Sequence, residues 1–92
     1  MINSYEEFEE AVEIFGLIGV ENRADIKKKY LKLSKKFHPD MPNGDIKKFQ
    51  QLNKAYTILT FYIDNFKFRF SKDEFKNQYP FLINSHDDWL SK

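Results

Sequence analysis

"DIKKKYLKLSKKFHPD", residues 25–40, decides how this chain folds. At about 100° per residue, Ile26, Tyr30, Leu33 and Phe37 fall on one narrow arc, while Lys28, Lys32 and Lys35 project from the opposite side. Lys29 and Lys36 flank the apolar seam, and Lys27 lies to its other side. The spacing predicts a helix from Arg23 to Phe37 with one packing face and one basic face. Pro39 ends that helix, because proline disfavours α backbone in the residue before it, here His38.

Downstream, "PNGD" adds a second proline, an Asn-Gly turn pair and Asp45 as a cap for the next helix, so the connection is short and stiff. Phe49, Leu52, Tyr56, Leu59 and Ile63 then recur on one helical stripe. The same projection keeps Phe66 and Phe70 on it. A helix to about residue 70 is therefore expected rather than a strand through "FKFRF", which would have no second strand to pair with. Ser71 and Glu74 form a capping-box pattern for a short last helix that stops before Pro80.

Upstream, Asn22 and Asp25 suit the start of the basic helix. "GLIGVENR" reads as a connecting loop, since a lone strand leaves its backbone unsatisfied. Ser4 and Glu7 mark the start of a first helix, which carries Phe8, Ala11, Val12 and Phe15 on one face and ends at Gly16. The fold class expected is all-α: an antiparallel hairpin of the second and third helices, a packed N-terminal helix and a short C-terminal one. Residues 1–70 form the helical domain. Residues 71–92 form a short helix and aromatic tail packed on the same domain.

Composition narrows the function. The 92 residues suffice for one small domain, with 41% hydrophobic and 17% aromatic residues, largely ten Phe and five Tyr, to build its core. Fifteen basic residues against fourteen acidic ones give a net charge of +1, so no global field demands nucleic acid or a membrane surface. The absence of cysteine removes disulfides and thiolate zinc sites. No run approaches the roughly 20 apolar residues of a membrane span, and "MINSYEEFEE" lacks the apolar core of a signal peptide. A soluble, unexported, cytoplasmic protein is expected.

His38 and Asp40 invite a metal or acid–base reading, which fails on ligand count. Two residues one position apart supply part of a shell, and His86 lies far along the chain beside Asp87 and Asp88. No glycine-rich phosphate loop or nucleophile elbow is present. Neither enzyme activity, metal nor cofactor is expected. The plain alternative is a surface turn in which Asp40 caps a backbone N–H and His38 is solvated, with the lysines as a solvated helix face.

Context overrides that alternative. A basic amphipathic helix, His-Pro-Asp, a short turn and an antiparallel apolar helix containing Phe-x-x-Leu-Asn-x-Ala-Tyr together resemble the J domain of the DnaJ family. "DIKKKYLKLSKKFHPD" is similar to the family's second helix and signature tripeptide, and "KFQQLNKAYTIL" (Lys48 to Leu59) to its third. "EIFGL" (Glu13 to Leu17) is similar to the end of its first helix. The resemblance covers residues 11–60 or so.

It implies a cochaperone that binds the ATP-bound form of a DnaK-type heat-shock-seventy chaperone and stimulates its ATP hydrolysis, doing no bond chemistry itself. His38, Pro39 and Asp40 would be the stimulatory loop, Asp40 meeting an arginine of the chaperone in a charge-assisted pair. Lys27, Lys28, Lys32 and Lys36 would present positive charge to an acidic surface. Tyr30 and Phe49 would be shared between packing and contact. Such electrostatics set on-rate and orientation, so the complex would be transient and salt-sensitive.

Departures from the pattern are specific. Leu31 and Met41 stand where basic residues are common, the loop is shorter than in the commonest bacterial form, and the usual basic fourth-helix motif is missing beyond Thr60. No glycine/phenylalanine-rich linker, zinc module or client-binding β domain is present, so a complete chain of this kind would resemble the minimal third class of J proteins. Phe61 and Phe68 lie off the main stripe and need cover from Phe75, Tyr79, Phe81 or Trp89. Failing that cover, they are an exposed patch for a client or adaptor. The rival functions are nucleic-acid binding by the basic helix, which Pro39 and the near-zero net charge disfavour, and a degenerate J-like scaffold without stimulation.

Overall fold

The computed structural model describes residues 3–82. Four helices follow in order, α1 (Tyr5–Phe15), α2 (Arg23–Phe37), α3 (Ile46–Asp64) and α4 (Lys72–Gln78), and there is no strand among the described residues. The all-α expectation holds.

Each start is fixed by a polar cap. Asn22 accepts from the Asp25 N–H at 2.8 Å while the Asp25 carboxylate accepts from the Asn22 N–H at 3.1 Å, a complete reciprocal box. Asp45 accepts from the N–H groups of Lys47 and Lys48, and Ser71 from that of Glu74. Ser4 caps α1 through the Glu7 N–H, but the Glu7 carboxylate takes its bond from Asn3 rather than from Ser4. Gly16 closes α1 at φ 65°, a left-handed conformation in which its N–H reaches back to Glu13.

α3 is the central element. It packs against both α1 and α2, which hardly touch each other. Ala11 and Phe15 from α1, Ile26 from α2, and Leu52, Ala55, Ile58 and Leu59 from α3 form the buried core. On the stripe read from the sequence, Tyr56 stacks on Tyr30 of α2 and also on Phe15 of α1. Ala55 and Ile58 form a second stripe, which meets α1 near Ala11. A helix clasped on two sides needs two such stripes, and a single projection finds only the stronger.

α3 stops at Asp64, not near residue 70. Arg23, the first residue of α2, pairs with Asp64, the last of α3, so the partner helix has run out at that point. Asn65 leaves the helix at φ −107° and ψ 8°, and its side-chain amide donates to the Phe61 carbonyl at 2.9 Å. Phe66 and Phe70, which a longer helix would carry on its seam, are 51% and 98% exposed. Residues 66–70 are neither helix nor strand.

Among the described residues α4 approaches none of α1, α2 or α3. Phe61 and Phe68 are both exposed, as is Phe81. Trp89, another of the candidates to cover them, lies outside the described residues, as does the rest of the tail from residue 83.

Candidate functional site

The loop between α2 and α3 is built from two consecutive turns with a shared residue. The Met41 N–H donates to the His38 carbonyl and the Gly44 N–H to the Met41 carbonyl, each at 2.9 Å. Proline occupies the second position of both, Pro39 in the first and Pro42 in the second, where its fixed φ is already correct. No residue of the loop has positive φ, so both turns are of the type I class. The Asp45 N–H then bonds the Phe37 carbonyl at 3.0 Å, closing the hairpin across its base.

Gly44 serves close approach rather than left-handed backbone. A Cβ built there would stand 2.0 Å from the His38 carbonyl oxygen and 3.1 Å from that of Met41. Only a glycine lets the second turn fold back on the first.

His38 is the linchpin of the tip. Its Nδ1 accepts from the Asp40 N–H at 3.1 Å, which leaves the ring hydrogen of a neutral imidazole on Nε2. Its ring meets Phe49 edge-on with centroids 5.3 Å apart. The plain reading of a capping Asp40 beside a solvated His38 is thus reversed: the histidine caps, and the aspartate is released. The Asp40 side chain is 91% exposed, and Oδ2 stands 3.7 Å from Nδ1 of His38.

The lysines divide into two groups. Lys29 pairs with Glu21 at 3.5 Å. Lys27, Lys28, Lys32 and Lys36 are exposed and have no ion-pair partner among the described residues, so their field is not neutralised locally. Lys36 and Lys48 both hold their ammonium groups over the Phe37 ring, at 5.4 and 5.5 Å. Lys48, in the first turn of α3, was not among the residues singled out from the sequence, although its place directly after the loop could have pointed to it.

Tyr30 and Phe49 lie on the inner side. The Tyr30 ring stacks on Tyr56 with centroids 4.1 Å apart, and its hydroxyl donates to Asn53 Oδ1 at 2.7 Å. Phe49 supports His38 from below. The structure therefore brings His38, Pro39, Asp40 and Phe49 together at the tip, leaves the free lysines exposed along α2, and turns Tyr30 inward. Leu31 and Met41 are both exposed, so neither is needed by the core.

Charge perturbation lies elsewhere. Lys54 on α3, bonded to Glu7 at 3.1 Å, together with the Asn3 N–H, holds the Glu7 carboxyl below its ordinary range. No described helix is long and apolar enough to cross a membrane.

The family model described as the DnaJ domain matches residues 6–62, from the first turn of α1 almost to the end of α3. Over 69 residues the chain is 41% identical to the chaperone protein DnaJ of Rickettsia typhi, an overlap of 72% of this chain and 19% of the relative. It is 40% identical over 50 residues to the protein SIS1 of Saccharomyces cerevisiae, covering 51% of this chain and 14% of the relative. The chain thus spans less than a fifth of the length of these curated relatives. No solved structure gives a significant match. With the matched span coinciding with the three packed helices and the loop between the last two, the chain belongs to the DnaJ domain family.

Proposed function

We propose that this chain is a cochaperone that docks on a cytoplasmic DnaK-type chaperone and stimulates its ATP hydrolysis. The observation that carries the reading is the Asp40 carboxylate, 91% exposed on a loop held by two proline-initiated turns. An exposed carboxylate on a loop whose backbone is held in place is suited to a charge-assisted bond with a guanidinium on the partner. Lys27, Lys28, Lys32 and Lys36 steer and orient the approach, and Lys48 extends their field towards the tip. Tyr30 and Phe49 act by holding α2, α3 and the loop in place.

The chain contributes recognition, and the bond cleavage belongs to the chaperone. The exposed aromatic residues after α3 are left to serve a client or adaptor.

Single-turnover ATP hydrolysis by the DnaK-type chaperone of the same source, with the wild-type chain and with Asp40→Asn, tests the reading. Stimulation by the wild type alone, with both proteins equally stable, is the expected outcome. Equal rates with the two proteins would sink it.

A further inference from the structure

We infer that residues 66–70, Phe-Lys-Phe-Arg-Phe, form a binding edge for an extended partner peptide that alternates acidic with apolar side chains. The inference rests on the reading of this region as a client or adaptor surface, and is independent of ATPase stimulation.

The segment leaves α3 at Asn65 and forms no regular element before α4. From Lys67 to Phe70 no backbone N–H or C=O has a hydrogen bond among the described residues. Four consecutive unpaired residues present the template that strand addition uses.

The segment is also anchored. A file of rings runs from Phe8 to Tyr62 at 4.7 Å, from Tyr62 to Phe66 at 5.8 Å and from Phe66 to Phe68 at 5.4 Å. Contact between Phe66 and Phe68 puts residues two apart on one side, as in a pleated strand. Phe70, two residues further on, is 98% exposed. The edge is pre-set by the fold, which lowers the ordering cost of binding.

Charge selects the occupant. Lys67 and Arg69 alternate with the phenylalanines, and 66–70 contains no acidic residue. Across a strand pair, side chains on one face stand opposite each other, and unlike charges or apolar pairs stabilise while like charges repel. The fitting peptide therefore sets Asp or Glu against Lys67 and Arg69, and β-branched or aromatic residues against Phe68 and Phe70. The same segment of a second copy would oppose like charges and does not fit.

The test titrates the full-length chain with a synthetic peptide of alternating Glu and Val, followed by amide chemical shifts. A backbone N-methylated version, a Lys-Val peptide, anionic phospholipid vesicles and oligouridine are run beside it. The Glu-Val peptide should bind, shifting residues 66–70, and N-methylation should remove the binding. Phe70→Ser, at a position without packing, should weaken it about tenfold, as loss of an aromatic anchor does. Lys67→Glu with Arg69→Glu should transfer preference to the Lys-Val peptide, with ATPase stimulation unaltered. Binding that survives both variants, and so sits on the α2 lysines, overturns the inference; so does equal binding of the N-methylated peptide, or binding of vesicles or oligouridine in place of the peptide.

Discussion

Gly44 lies against the backbone of His38 so closely that a single added methyl carbon would stand 2.0 Å from the His38 carbonyl oxygen. The atom it would strike is main chain and is already bonded to the Met41 N–H, so no side-chain rotation relieves the clash.

Gly44→Ala should therefore destabilise the domain by about 2–3 kcal/mol, in the range of strained backbone substitutions, and should displace His38 and Asp40. Urea unfolding reads the first effect, and loss of chaperone stimulation the second. Wild-type behaviour in both measurements would show that the loop closes without this approach.

Tyr30 and Asn53 tie α2 to α3 by one half-buried hydrogen bond of 2.7 Å. Tyr30→Phe keeps the stack on Tyr56 and removes only the hydroxyl, at an expected cost of about 1 kcal/mol. Asn53→Ala should cost a similar amount, and the double variant less than the two together, because both remove one bond. Additive losses in a double-mutant cycle would count against the coupling.

The lysine face should act through rate. Lys32→Glu reverses a charge that has no local partner, and should slow association with the chaperone about fivefold at low salt while changing dissociation little. Added salt should shrink the difference, since screening acts on solvent-exposed charges. Stopped-flow kinetics at two ionic strengths provides the measurement.

Glu7 gives the domain one acid-sensitive contact. Its folded carboxyl is held low, first by the Lys54 ammonium and then by the Asn3 N–H, whereas the unfolded chain has the ordinary value. The unfolded state thus binds the proton more readily. The contribution is complete above the ordinary glutamate range and is lost as pH falls below it, through the folded value. Lys54→Met should raise the Glu7 titration towards the ordinary value in a carboxyl-carbon NMR titration, and an unmoved titration would remove Lys54 as the cause.

The limits of α1 and α2 were legible because caps and breakers are local. Asn22 with Asp25, Gly16 and Pro39 act within a few residues of themselves. The end of α3 was not, because what stops it is the exhaustion of its partner: Arg23 reaches Asp64 and nothing further along α2 remains to cover Phe66 or Phe70. Ala55 and Ile58 escaped for a related reason, since whether a helix is clasped once or twice is a tertiary fact. At the tip, the residue types and their order could be read, but the division of labour between His38 and Asp40 could not. It depends on which atom reaches the Asp40 N–H.

Among the described residues the buried core consists of Ala11, Phe15, Ile26, Leu52, Ala55, Ile58 and Leu59, whereas Leu31, Met41 and Asp40 all stand outside it. Substitutions at these exposed tip positions therefore leave the packing untouched, so the surface that the loop presents can change step by step while the scaffold that carries it stays folded.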